Sequence, residues 1–281
     1  MMFNMGTAVT SYKLISTIIL VISLTGCCFA RSENKDKAQT LNRWEEISPE
    51  QEVELIKRVD KGDSEAAFGL YLFYDRVQNN KEKGFYWLNR AAEMGHVGAQ
   101  NNLGYLYVYD KSLRDLEKAK YWLIKVAPSD GYACLRLADI YAEEKEFSMA
   151  RSYYLMGAEK GNRKCWRRIS EYLYSGIGGE RDNAEAYYWI SLDARCTDPR
   201  SIGGKEIWNF RDKIAEHLSS SDLKKQWGRI DDYIELVRSK KISVDYPPFL
   251  EGKIKKESSD EGVKFADKRE REHRSALVNK K

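Results

Sequence analysis

The side chains most able to do chemistry are few and scattered along the sequence. His96 lies beside Gly95 in a hairpin connection, His217 lies near a helix C-terminus, and His273 lies in the C-terminal tail. A solvated histidine, or one that complements a helix dipole, explains each position better than catalysis does. The glycine-rich run 176–179 follows no predicted strand, so it indicates a turn rather than a phosphate loop. The sequence contains no HExxH, GxSxG, GxxxxGKS or paired CxxC motif, so we predict a protein that is not an enzyme and needs no metal or cofactor.

Three cysteines could form a disulfide bond. Cys134, Cys165 and Cys196 follow one another at intervals of 31 residues, and disulfides persist in exported proteins. Cys165 begins one helix of a predicted antiparallel hairpin and Cys196 follows the other, so these two ends lie near each other. Cys165–Cys196 is therefore the geometrically favoured pair, with Cys134 buried and free. The alternative is three buried thiols that behave as small apolar side chains.

The first thirty residues indicate export. Lys13 precedes an apolar run over 14–24, which is about half the roughly 20 residues that a membrane-spanning helix needs but has the length of a signal-peptide core. The following Leu-Thr-Gly-Cys (24–27) resembles a bacterial lipobox, which implies cleavage before Cys27 and acylation of that residue. An ordinary cleaved signal or an uncleaved anchor is the alternative. Because mature residue two would be Cys28 rather than Asp, the resemblance implies a periplasmic protein anchored at the outer membrane.

The middle of the chain repeats itself. An aromatic residue follows a small residue by three positions in four places, at spacings of 35, 31 and 36: Trp87, Trp122, Tyr153 and Trp189. A second pattern, clearest at Ala99, Leu103, Gly104 and Tyr107, precedes the aromatic in each unit and uses offsets that share one helical face. Each unit is therefore a helical hairpin of about 31 to 36 residues that must stack on its neighbours to bury its apolar stripe.

The repeats resemble a known family. The segments AAEMGHVGAQNNLGYLY (91–107) and GIGGERDNAEAYYWISLDA (176–194) look like Sel1-like repeats, relatives of the tetratricopeptide repeat. The resemblance implies an all-α fold, a right-handed α/α solenoid of about four hairpins with a capping N-terminal helix and a C-terminal helical module. The third unit lacks the usual loop glycines, and Tyr71 stands where the first unit would have glycine.

The flanking segments complete the predicted organisation. Ser48-Pro49-Glu50-Gln51 has the pattern of a capping box that opens a helix. Ser220 or Ser221 is expected to cap a later helix. Residues 251–281 contain 17 charged side chains in 31, which is typical of a solvated tail or a frayed terminal helix. The predicted regions are a signal peptide (1–26), a lipidated tether (27–47), a capping helix (48–61), the solenoid (62–197), a C-terminal helical module (203–250) and a charged tail (251–281).

Charge and repeat geometry together favour a protein partner. A net charge of +4 over 281 residues gives no support to nucleic-acid binding. The sequence also offers no cluster of titratable residues typical of a cleft that binds a small-molecule substrate. A solenoid usually binds on its concave surface. The positions expected to line that surface are Gly69, Leu72, Asn102, Tyr105, Arg136, Asp139, Arg168 and Glu171. An ordinary solvated face is the alternative.

The C-terminal pattern suggests a more specific role. Residues 207–249 resemble a module that follows Sel1-like repeats in some Gram-negative proteins, and some of those are immunity proteins made beside phospholipase effectors of type VI secretion systems. The resemblance implies a periplasmic immunity protein that neutralises a secreted lipase or phospholipase. The alternatives are a general envelope scaffold or assembly adaptor and, from another class, an envelope enzyme or a cell-wall-binding module.

Overall fold

The computed structural model describes residues 47–239 and 256–279, in which the regular structure is entirely helical. The signal peptide, Cys27, the tether up to residue 46 and the segment 240–255, with its Tyr-Pro-Pro-Phe sequence, lie outside the described residues. The chain divides between Met94 and Gly95 into two compact units. The α-helices in chain order are α1 (Pro49–Asp60), α2 (Ser64–Leu72), α3 (Lys81–Glu93), α4 (Val97–Tyr109), α5 (Leu116–Val126), α6 (Gly131–Glu143), α7 (Phe147–Glu159), α8 (Arg163–Ser175), α9 (Asn183–Arg195), α10 (Ile202–Ala215), α11 (Ser220–Arg238) and α12 (Lys256–Asn279).

The first unit contains α1 to α3. Helix α1 begins as predicted, since the Ser48 hydroxyl accepts a hydrogen bond from the Gln51 amide and the Gln51 side chain accepts one from the Ser48 amide. Leu55 and Val59 form its buried stripe. Helix α2 continues into a π-helical turn, Phe73–Val77, before α3 returns along it. The repeat spacing does not reveal this π-helical turn.

The second unit contains three hairpins, α4/α5, α6/α7 and α8/α9. Small residues of the repeat let the paired helices approach closely, and Ala119, Ala150 and Ala186 have no exposed surface. Gly95 and Gly161, which precede first helices, adopt the left-handed conformation that glycine favours just after a helix, with φ of 88° and 81°. The all-α, α/α solenoid class of the fold, built from repeated hairpins, is confirmed.

The turn inside the third repeat lacks glycine, and the backbone shows how the chain accommodates this. Lys145, which follows α6, has φ of 63° and so occupies the left-handed region that Gly176 occupies after α8. A non-glycine residue in this region is uncommon and costs conformational energy. The hairpin is nevertheless complete, because the Glu146 amide donates to the Tyr141 carbonyl across the turn.

The C-terminal region differs from the prediction in two respects. Ser219, rather than Ser220 or Ser221, caps α11 through a hydrogen bond from the Asp222 amide. The charged tail contains α12, whose second half packs on the protein instead of standing in solvent, with Glu270 only 4% exposed. The reason is that basic residues on preceding helices match its acidic ones, which a charge count along the sequence does not reveal.

Candidate functional site

The first helices of the three hairpins in the second unit, α4, α6 and α8, carry an accessible row of polar and aromatic side chains. Six of the eight predicted binding residues lie there and are exposed or half-buried: Asn102, Tyr105, Arg136, Asp139, Arg168 and Glu171. These six residues, with Tyr109 and Tyr132, are called the first-helix face below. The other two predicted residues, Gly69 and Leu72, are buried, because after its first turn α2 carries apolar residues all round and has no polar face there.

Arg136 is held by an amide and an aromatic ring. Its Nη1 donates a 2.8 Å hydrogen bond to Asn101 Oδ1, and its guanidinium lies 5.3 Å from the centre of the Tyr105 ring. Asn101 in turn donates from Nδ2 to Asp130 Oδ2 over 2.5 Å, and Asp130 caps the N-terminus of α6. The guanidinium is therefore held in place by an amide and a ring, and its charge is not neutralised by a carboxylate within ion-pair distance among the described residues.

The tyrosine side chains beside Arg136 are exposed to solvent. Tyr105 is 48% exposed and Tyr109 is 53% exposed, and their rings lie 4.8 Å apart on successive turns of α4. Partial burial, with a contribution from Asp139, raises the pKa of Tyr109, so its hydroxyl stays protonated and able to donate. Tyr132 on α6 is 43% exposed. Exposed rings of this kind provide contact area at a low cost in side-chain entropy.

Charged side chains occupy the α6 and α8 end of the first-helix face. Arg168 and Glu171 form an ion pair of 3.3 Å on α8. Asp139 accepts a 2.6 Å hydrogen bond from the hydroxyl of the buried Tyr154. Burial and this hydrogen bond raise the pKa of Tyr154 far above its usual value. The buried tyrosine therefore fixes the position of Asp139, which is itself exposed.

Sequence reasoning missed three residues of this arrangement. Tyr109 lies four residues after Tyr105 and so shares its helical face, a spacing that could have identified it. Tyr132 was missed because it follows Gly131 at the start of α6 and is not one of the repeat positions. Asn101 was missed because Asn102 occupied the predicted outward position, whereas the amide that orients Arg136 is the preceding one.

The predicted chemical candidates have structural roles. His96 caps α4, accepting a 3.0 Å hydrogen bond from the Ala99 amide at Nδ1. His217 contacts the Tyr174 hydroxyl at 3.2 Å. His273 is not a solvated tail residue as predicted, because α12 packs its ring against Tyr187. No group of three or more potential metal ligands occurs among the residues whose structure is described.

The three cysteines are free and buried. Burial raises the pKa of Cys134 to about 11 and that of Cys196 to about 12. Cys165 packs so tightly that a Cβ added at Gly157 would lie 2.5 Å from its Sγ. The pairing of Cys165 with Cys196 is not made in the structure, which has the buried-thiol arrangement that was the alternative.

Within the described part of the chain, no helix is both long enough and apolar enough to cross a membrane. The longest, α12, is 24 residues but strongly charged.

Comparisons with known proteins agree with the hairpin geometry. The Sel1 repeat model matches this chain four times, at residues 63–96, 97–127, 131–162 and 167–192. The matches follow the hairpins of both units, α2/α3, α4/α5, α6/α7 and α8/α9. Four matches to the Sel1 repeat model are the number of repeats that the sequence spacing predicted.

Related proteins are similar over part of their length. The uncharacterized protein YibG of Escherichia coli K12 is 41% identical over 59 residues, which are 21% of this chain and 39% of YibG. The crystal structure of c5321, a protective antigen of uropathogenic Escherichia coli with an SLR fold, aligns with a TM-score of 0.52 and 25% identity. That alignment covers 68% of this chain and 43% of c5321. A Sel1 repeat protein from Oxalobacter formigenes aligns with a TM-score of 0.44 and 18% identity over 79% of this chain and 78% of that protein. The chain spans less than two thirds of YibG and of c5321.

Proposed function

We propose that this chain is a non-catalytic, lipid-anchored periplasmic protein that binds a protein partner through the first-helix face. The observation that carries the proposal is the juxtaposition of Arg136 with the open rings of Tyr105 and Tyr109. Arginine and tyrosine are the side chains that most often dominate binding energy at protein interfaces. A rigidly held arginine also loses little entropy when a partner binds.

The anchor is proposed at Cys27, with the protein at the outer membrane and facing the periplasm. The lipobox-like sequence before Cys27 supports this, as does the polar segment between it and α1. An anchored chain would be concentrated near the membrane surface. Such confinement raises the effective concentration of a binding protein toward a target that acts on the same membrane.

The most specific form of the proposal is an immunity protein that neutralises a secreted lipase or phospholipase delivered by a type VI secretion system. The resemblance of residues 207–249 to the module of such proteins supports it. An inhibitor of this kind needs no chemistry of its own, since covering the active site of the toxin suffices. A general envelope scaffold is the second candidate, supported by the Sel1 repeats alone.

The test uses the chain from Arg31 onward and the purified product of the neighbouring gene, with affinity measured by isothermal titration calorimetry. Tight 1:1 binding that also suppresses lipase activity supports the immunity role. Tyr105→Ala and Arg136→Ala should each weaken binding by about 30-fold or more, the effect of a hot-spot residue. Tyr121→Ala is the matched control, because Tyr121 is 56% exposed but lies on the second helix α5.

Three results would change the conclusion. Absence of binding by a chain whose circular dichroism shows a folded helical protein would refute the immunity role and favour the scaffold. Equal losses for Tyr105→Ala and Tyr121→Ala would place the interface elsewhere. Tight binding with undiminished lipase activity would retain a protein partner but exclude inhibition.

A further inference from the structure

The second half of the C-terminal helix α12, residues 267–278, contacts the protein mainly through ionisable side chains. Among its described residues, Asp267, Glu270, His273, Arg274 and Leu277 recur at helical spacing and face the protein. Only the last of these five is aliphatic. A helix that belongs to a fold's core usually presents an apolar stripe, so residues 267–278 of α12 are joined to the protein in a different way.

Each of the three helices beneath α12 supplies a matching charge or polar group. Helix α9 contributes one, α10 contributes two and α11 contributes one, so the register of α12 is specified at several points. The contacts are Asp267–Arg195 at 2.5 Å, Glu270–Arg211, His273 Nδ1–Asp212 Oδ1 at 3.0 Å and Arg274–Asp231 at 2.8 Å.

Arg211 is the centre of this arrangement. Its side chain has no exposed surface, and its guanidinium lies 3.9 Å from the centre of the Trp208 ring. Glu270 of α12 covers it and accepts a hydrogen bond from Nη1, while Nε and Nη2 make no hydrogen bond and Asp212 Oδ1 lies 3.5 Å from Nε. Glu270 is therefore the carboxylate that is hydrogen-bonded to this buried charge, and Asp212 adds a second carboxylate at ion-pair distance.

Aromatic side chains form the floor around Arg211. The Tyr187 ring stacks on the His273 ring at an interplanar angle of 18°, and the Tyr187 hydroxyl accepts a 2.9 Å hydrogen bond from Trp227 Nε1. The Arg274 guanidinium lies 5.3 Å from the centre of the Trp227 ring. Arg211 and Arg274 thus each make a cation–π contact with a tryptophan ring as well as an ion pair.

The energetics of such contacts favour specificity over strength. Removing two charges from water costs nearly as much free energy as their mutual attraction returns. Buried ion pairs therefore specify the register of a helix more than they strengthen its binding. We propose that α9, α10 and α11 form a binding site for an amphipathic helix with a carboxylate opposite Arg211, and that α12 is its exchangeable occupant. A partner helix with the same pattern of charges can take its place. The proposal is independent of the first-helix face.

The test makes α12 a separate ligand without removing it. A protease recognition sequence is inserted between residues 240 and 255 of the full chain, and the purified protein is cut there. A fluorescein-labelled peptide with the sequence of residues 256–279 is added, and its uptake is followed by fluorescence anisotropy. Three peptides are compared: the natural one, Glu270→Gln, and the matched control Glu272→Gln, whose side chain is 65% exposed. The substitutions are confined to the peptide, so the folding of the protein is not at risk.

We expect the natural and Glu272→Gln peptides to exchange into the cut protein with equal affinity. The Glu270→Gln peptide should bind about 30-fold more weakly or worse, because it leaves a buried arginine without its carboxylate. Equal binding by Glu270→Gln would refute recognition through Arg211. A cut segment that stays bound and never exchanges would show that α12 is a fixed part of the fold. A segment that leaves and does not rebind would show that there is no helix-binding site.

Discussion

Replacement of Gly157 by alanine tests whether the repeat pattern reflects close helix packing. Gly157 lies in α7, and a Cβ built there would be 2.5 Å from Cys165 Sγ, 3.1 Å from Cys134 Cβ and 3.2 Å from the Gly131 carbonyl oxygen. Favourable contacts between such atoms begin near about 3.5 Å. The nearest atom belongs to Cys165, whose side chain is fully buried. Cys165 therefore cannot make room for the added methyl group by turning into solvent.

The expected change is a destabilisation. Overpacking a core costs about 1–3 kcal/mol, whereas alanine in place of glycine inside a helix returns up to about 1 kcal/mol. We therefore expect Gly157→Ala to lower the free energy of unfolding by about 1–2 kcal/mol. Urea denaturation of the chain from Arg31 onward, followed by circular dichroism, measures this difference.

Gly228→Ala is the matched control. Gly228 also lies inside a helix, α11, but a Cβ there would meet nothing within 4 Å, so the variant should be more stable by about 0.5–1 kcal/mol. Removing the sulfur with Cys165→Ala should reduce the cost of Gly157→Ala in a double-mutant cycle. If Gly157→Ala were as stabilising as Gly228→Ala, or if Cys165→Ala left its cost unchanged, the packing argument would be wrong.

Three further predictions concern single groups. In the chain from Arg31 onward, Cys134 and Cys196 should react with Ellman's reagent at pH 8 only after unfolding, because burial raises the pKa of both thiols, and a mass two protons lower in the non-reduced protein would reveal a bridge instead. In cells fed an alkyne fatty acid, Cys27→Ala should abolish labelling and membrane association while Cys28→Ala retains both; label kept by Cys27→Ala would contradict the anchor. Burial raises the pKa of Glu270, but the charges of Arg211 and Arg274 outweigh burial and hold the pKa at about 2. The stability advantage of wild type over Glu270→Gln should therefore be complete above about pH 4.5 and lost as the pH falls toward 2. A difference in unfolding free energy that does not change with pH would contradict this.

The repeat region could be predicted because its determinants are local. A small residue three positions before an aromatic, and a glycine before the first helix of some repeats, specify a hairpin without reference to the rest of the chain. Ala119, Ala150 and Ala186 are accordingly buried, and Gly95 and Gly161 have the expected positive φ. At Gly69 and Leu72 the predicted exposure was wrong, because the apolar surroundings of α2 are not visible in the repeat spacing.

The packing of the C-terminal helix could not be predicted because its determinants are distant in sequence. Glu270 is 59 residues from Arg211, and Arg274 is 43 residues from Asp231. A charged stripe read alone indicates solvation. It becomes an interface only when the opposing charges are brought to the same place, which periodicity does not show.

The two arginine sites of this protein are informative when compared. Arg211 lies over Trp208 and is covered by the carboxylate of Glu270, while Arg136 lies over Tyr105 with an amide as its hydrogen-bond partner. The first site shows what completes such an arrangement, since an arginine that rests on a ring still has donors directed away from it. The second site has the ring and the orienting amide but not the acid. A partner that binds the first-helix face is therefore expected to supply an acidic side chain opposite Arg136, in the way that α12 supplies one opposite Arg211.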